Sequence, residues 1–345
     1  MSNAFLSEHG VVMTTEKKTK EPGKKLKIAL YWAASCGGCE IGMLDIDEKL
    51  LDLTAAADIL FWPVAMDTKY KEVEALEDGC LDVCFFNGGI RNTEQEHLAK
   101  LLRKKSKILI SFGACAVSGG VPGLANMANR DEVFKTVYLE NPSTKNPEKQ
   151  VPKPCVHTKE GELTLPEFYD TLLPLHQVVD VDYFLPGCPP PPWLILDAFN
   201  AIVEGKLPEK GSVLAPLKCV CDECRFKLSE KKISTVKRIY ELEKMEEKCF
   251  LEQNVICMGP ATRSGCHGRC MEGNMPCTGC QGILPNALDQ GASMISALAS
   301  ILGLEGEQSM SDKELDALIE KIPDVVGTFY KYTLAASLIN RKVMK

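Results

Sequence analysis

Three times before residue 193, a short apolar run breaks into a tight turn rich in Gly or Pro that carries cysteine. KIALYWA (27–33) leads to SCGGCE (35–40), KILISFG (107–113) to GACAVSGG (113–120), and VDYFLP (181–186) to PGCPPPP (186–192). ADILFWP (57–63) and LDVCFFN (81–87) add two more strand-like runs, and the stretches at 42–57 and 93–106 between them have helical patterning. Strands alternating with helices predict a parallel sheet with helices on both faces, and strands this apolar suit burial on both sides. In such a sheet all turns that follow strands leave at one edge, where open α/β folds put their ligands. Cys36, Cys39, Cys115 and Cys188 are therefore expected to meet although they are far apart in sequence. Four converging thiolates suit zinc or a 4Fe–4S cluster. Flanking glycines allow close backbone approach. A redox disulfide is the competing reading for the CxxC alone, and the matching turns at Cys115 and Cys188 weigh against it. Further along, a Pro- and Lys-rich insertion spans about 141–155, and PEFYDTLLPL (166–175) has a helix-like pattern.

The chain has 345 residues and 16 Cys, with 45% hydrophobic residues and a net charge of −7. That balance argues against a nucleic-acid binder, which would present a basic face. No run approaches a membrane span, so no membrane insertion is expected. The first 25 residues show neither an apolar signal core nor an Arg-Arg pair, which predicts a cytoplasmic protein. In a reducing compartment, clustered cysteines serve as metal ligands more often than as disulfides.

Residues 206–285 lack strand patterning yet hold nine of the 16 Cys. The segment is too poor in apolar periodicity to form a core unaided, and bound metal would supply what burial does not. The natural division is Cys221, Cys224, Cys249 and Cys257 in one set, and Cys266, Cys270, Cys277 and Cys280 in another. Zinc and iron–sulfur both satisfy this ligand count. Cys219 competes with Cys221, which is the preferred ligand. Cys84, inside a strand, reads as core, and Cys80 and Cys155 read as structural. Glu40 has two readings, a helix N-terminal acid favoured by the dipole or a proton-relay or partner-contact residue beside the first site. His267 is expected beside the ligands or at the surface, and His97 on a solvent-facing helix side. No nucleophile or acid–base motif stands out. The expected organisation is a disordered tail (1–25), a sheet domain (26–205), a coil- and helix-rich metal-binding domain (206–285) and C-terminal helices (286–345). Within that last part, helical patterning covers 286–303, 311–322 and 324–342.

SCGGCE, GACAVSGG, PGCPPPP and the later CFLEQNVICMGPATRSGC and PCTGC together resemble the small subunit of nickel–iron hydrogenases, from about Lys27 to Gly282. The chain is most similar to the cytoplasmic methyl-viologen-reducing (F420-non-reducing) branch. The resemblance implies a flavodoxin-like first domain and three 4Fe–4S clusters. Cys36, Cys39, Cys115 and Cys188 would hold the proximal one, Cys266, Cys270, Cys277 and Cys280 the medial, and Cys221, Cys224, Cys249 and Cys257 the distal. Many exported relatives have His where Cys221 stands and a three-iron medial cluster with only three Cys, and they carry a twin-arginine leader. The implied partners are a nickel–iron large subunit, a small iron–sulfur delta subunit and the flavin-containing subunit of heterodisulfide reductase. Rival readings are the related small subunit of complex I, whose adjacent Cys-Cys pair this chain lacks, an electron conduit that does not activate hydrogen, and a zinc-stabilised scaffold.

Overall fold

The computed structural model describes residues 25–229, 233, 235–301, 311–322 and 324–341. Its strands are β1 (Leu26–Trp32), β2 (Ala57–Phe61), β3 (Leu81–Asn87), β4 (Ile90–Asn92), β5 (Ser106–Phe112), β6 (Cys155–Thr158), β7 (Gly161–Thr164), β8 (Phe168–Leu173) and β9 (Tyr183–Leu185). The α-helices are α1 (Gly38–Leu44), α2 (Lys49–Ala56), α3 (Tyr70–Glu74), α4 (Thr93–Lys105), α5 (Gly113–Ser118), α6 (Arg130–Phe134), α7 (Pro192–Glu204), α8 (Val220–Glu223), α9 (Arg269–Glu272), α10 (Gln290–Ile301), α11 (Asp312–Ile319) and α12 (Val325–Phe329).

Five strands form one sheet in the order β2-β1-β3-β5-β9, with every pairing parallel. This is the flavodoxin-like order. The period-two alternation of the strands sorts their side chains onto two faces. Ile28, Leu30, Val83 and Phe85 join α1, α2 and α7 through Met43, Leu53, Ile195 and Phe199. Ala29, Tyr31, Cys84 and Phe86 join α4 and α5 through Leu98, Leu102 and Ala116. Cys84 is fully buried there. The chain leaves β1 for β2 on one side and returns to β3 on the other. The turns after β1 and β3 therefore part company at the carboxyl edge and open a crevice.

The segment 166–175 is not helical. Its centre is β8, which pairs antiparallel with β4. Pro166 and Pro174 bracket a run too short for a stable helix, and its aromatic residues suit a strand. Two further elements lie outside the sequence reading, the β6–β7 hairpin and α7, whose first turn is built on Pro192. Of the expected helix over 324–342, only α12 and a 3-10 turn at Leu334–Ala336 form within the described residues. Tyr330 lies so close to Gly291 that a Cβ there would sit 2.2 Å from its ring, so this segment packs as a fitted strap.

In the second half, one apolar cluster unites Val220, Phe226, Phe250 and Met258 with Met294 and Leu298 of α10 and with Phe329 and Leu334. The late helices thus complete a core that the Cys-rich segment cannot close alone. The strap also reaches the sheet domain, where the Tyr332 carbonyl accepts from Ser118 Oγ at 2.7 Å and from the Gly120 N–H at 3.1 Å.

Candidate metal centres

All sixteen cysteines are free. The first set gathers at the sheet's carboxyl edge. Cys36 is exposed in the turn after β1, while Cys39 lies buried in α1 and Cys115 in α5. Cys188 follows β9 and is half-buried. The Ala114 N–H donates to the Gly187 carbonyl at 2.7 Å, which ties the second turn to the third. Burial pushes the Cys39 thiol up, and Cys115, Cys188 and Cys36 push it further. Burial raises Cys115 to about 12, with Cys188 and Cys36 adding to the shift. The four groups feel one another's charge, as groups around a shared centre must.

Glycine makes the room. Gly113 has φ +82°, and a Cβ there would sit 2.2 Å from Cys39 Sγ. At Gly120, φ +57°, a Cβ would sit 2.6 Å from Cys115 Sγ. Glu40 is buried next to Cys39. The Trp62 indole donates to its Oε2, and Asn87 Nδ2 donates to Oε1 at 3.3 Å. Burial raises this carboxyl, and the two hydrogen bonds oppose the rise. The side chain thus fastens α1 to the ends of β2 and β3.

The second set surrounds Gly259, whose Cβ would stand 2.9 Å from Cys221 Sγ and 3.6 Å from Cys257 Sγ. Burial lifts Cys257 to about 11 against backbone hydrogen bonds from Gly259 and Cys277, with Cys249 and Cys224 raising it further. Cys249 is raised by burial and accepts from the backbone at Leu251 and Glu252. Cys219 lies beside this set, and its thiol is hydrogen-bonded to Cys221, which lowers Cys219.

In the third set, burial raises Cys280 to about 12, and Cys266, Cys270 and Cys188 add to the shift. Burial also raises Cys277, with Cys257 and Cys280 contributing. Cys266 is raised chiefly by burial and accepts from the backbone at Gly268 and Arg269. His267 is exposed and stacks on Trp193 at 4.5 Å, away from ligation, and His97 is exposed on α4.

The third set touches both others. The Cys188 backbone donates to Cys280 Sγ, and the Cys277 N–H donates to Cys257 Sγ at 3.2 Å. Tyr332 stands at the first junction, close enough to Cys280, Cys188 and Cys270 for their charges to raise a phenol already lifted by burial to about 12. Its hydroxyl shares a 3.2 Å hydrogen bond with Thr278. Nothing in the sequence marked Tyr332, because its proximity arises from the strap folding back over the first domain.

Each set offers four thiols, and backbone N–H groups at Gly38, Gly259, Gly268 and Cys277 aim at their sulfurs. Sulfur ligands with such donors suit an iron–sulfur cluster. The residues present fit such a group.

The family model described as "NADH ubiquinone oxidoreductase, 20 Kd subunit" matches residues 36–202. The cysteines from 219 to 280 lie beyond that match. The iron–sulfur subunit of the F420-non-reducing hydrogenase of Archaeoglobus profundus is 40% identical over 93% of this chain and 99% of its own length. The corresponding F420-non-reducing hydrogenase subunit of Methanothermobacter marburgensis is 38% identical over 93% of this chain and 98% of its own. The delta subunit of the NAD-reducing hydrogenase HoxS of Cupriavidus necator is 31% identical over 53% of this chain and 80% of its own. With near-complete coverage by such relatives and a sheet of flavodoxin order bearing four gathered thiols, the chain belongs to the F420-non-reducing hydrogenase small-subunit family, whose members pair with a large subunit and transfer electrons through iron–sulfur centres.

Proposed function

We propose that this subunit carries electrons released from hydrogen at a separate nickel–iron large subunit through three 4Fe–4S clusters in line. Cys36, Cys39, Cys115 and Cys188 hold the proximal cluster. Cys266, Cys270, Cys277 and Cys280 hold the medial one, and Cys221, Cys224, Cys249 and Cys257 the distal one. The acceptor is a small iron–sulfur delta subunit feeding the flavin subunit of heterodisulfide reductase in an anaerobic cytoplasm. Residues 26–205 form the unit around the first cluster. Residues 206–285, closed by helices from 286–345, form the unit around the other two.

The observation that carries this reading is the pair of junctions. Cys188 meets Cys280, and Cys277 meets Cys257, so the 266–280 set bridges the other two. When bound, each cluster takes up and releases single electrons. The chain's own groups do the rest. Backbone N–H groups at Gly38, Gly259, Gly268 and Cys277 donate to ligand sulfurs and favour the charged thiolate. Buried walls keep water away, and the environment of the sulfurs sets potential. Glu40 positions the CxxC turn against the sheet.

Large-subunit docking at the proximal end is supported by Trp32, Ile41, Leu44, Val64 and Met66. All five are exposed apolar residues on α1 or on the ends and turns of β1 and β2, at the edge where Cys36 is open. Exposed apolar side chains concentrated at one edge suit an interface. Among the described residues, no helix is long and apolar enough to cross a membrane.

The test is hydrogen-dependent viologen reduction by the complex purified anaerobically through this chain, together with its iron content. Activity with about twelve irons per chain, as three Cys₄-held cubes require, is the expected result. Full iron without hydrogen-linked activity would instead identify a conduit fed by another donor. Cys188→Ser is expected to damage the proximal cluster and abolish hydrogen-linked flow.

A further inference from the structure

One further group of metal-ligating side chains stands apart from the twelve thiols. It lies on the β6–β7 hairpin, in the stretch that leads from the Pro- and Lys-rich insertion back to the sheet. Cys155 and His157 are two residues apart on β6 and so face the same way. The antiparallel register sets Glu162 of β7 directly opposite His157. The Cys155 Sγ, a His157 ring nitrogen and a Glu162 carboxylate oxygen all lie within 4.8 Å of one another. His157 Nδ1 and Glu162 Oε2 are 3.6 Å apart. This is the one trio so compact among the described residues, and it is tighter than any trio in the cluster sites.

A second observation concerns the hairpin itself. All eight of its strand residues are exposed. Val156 and Leu163, paired on the opposite face, are also left in solvent. Neither face rests on the body of the protein, and a two-stranded hairpin without such support is marginal in water. A cross-strand link would supply what packing does not.

We propose that Cys155, His157 and Glu162 bind one zinc ion, with water in the fourth position. A thiolate and a carboxylate neutralise the dication, and neutral imidazole completes a donor set of the kind zinc takes, while magnesium and calcium prefer all-oxygen sites. Zinc–ligand bonds of about 2.0–2.3 Å require the donors to draw in by about 1 Å. Three exposed side chains can do this by rotation about χ1 and χ2. Binding releases the Cys155 thiol proton to solvent and involves no redox change.

The probe is zinc chloride added to the anaerobically purified, iron-loaded complex, followed by gel filtration and analysis for zinc and iron. Wild type is expected to retain one zinc per chain more than Cys155→Ser, with equal iron in both. His157→Ala and Glu162→Gln are expected to weaken retention by at least about tenfold. The zinc absorption edge should show a single sulfur with nitrogen and oxygen neighbours. Amides at 155–164 should exchange more slowly with zinc present. Equal zinc in wild type and Cys155→Ser would overturn the assignment, as would an all-sulfur environment or unchanged exchange. The trio would then be an ion pair beside an unrelated thiol.

Discussion

The two halves of this subunit reach stability by different means. Of the twelve largest fully buried side chains, eleven lie in the sheet half and only Phe250 lies in the Cys-rich half. The sheet half encloses apolar layers on both faces, and of the four thiols gathered at its edge only Cys39 joins that core. The second half has short helices, 3-10 turns and isolated bridges, and its thiols sit inside its own apolar cluster, where Cys257 and Cys277 are themselves buried. Metal is an addition to the first core and a component of the second.

Removing iron should separate the halves most sharply. On anaerobic chelation, amides across 220–229 and 235–301 are expected to lose protection while those of β1, β3 and β5 keep theirs, as read by hydrogen exchange. Equal loss in both would mean that the sheet also depends on its cluster. The next largest effect is expected from Phe85→Ala, which empties the centre of the first core and should cost about 3–5 kcal/mol in denaturant unfolding. Iron per folded chain should not change. Gly113→Ala is narrower still. Its Cβ would meet Cys39 Sγ at 2.2 Å on a backbone with φ +82°, so about four irons, one Cys₄-held cube, should be lost from the sheet half and none from the other. The smallest effect is Tyr332→Phe. It removes one hydroxyl hydrogen bond to Thr278 and should cost about 0.5–1.5 kcal/mol, with cluster content intact. A larger loss would make the junction itself the weak point.

Much of the sheet was legible because apolar runs such as LDVCFFN must be buried on both faces, and because turns after parallel strands share an edge. The gathering of Cys36, Cys39, Cys115 and Cys188 follows from that topology alone. What escaped is non-local. The 166–175 run has helix-like spacing, yet β8 pairs with β4, a strand some eighty residues earlier in the chain. The packing of α10 and α12 under the Cys-rich segment depends on shape at Gly291 and Tyr330, which no periodicity records. Cys155 read as structural because spacing along one strand cannot reveal Glu162 across the hairpin. The neighbours of Cys219 were equally hidden, since its hydrogen bond to Cys221 depends on the turn that opens α8.

The strap over 325–337 has a consequence in time as well as in space. It leaves the ribosome after every cysteine-bearing turn has been made. Yet its Tyr332 carbonyl caps the Ser118–Gly120 turn beside Cys115, and its ring fills the boundary between Cys188 and Cys280. The wall of the earliest site is therefore finished by the latest segment. Until the strap docks, the Ser118–Gly120 turn lacks its Tyr332 acceptor.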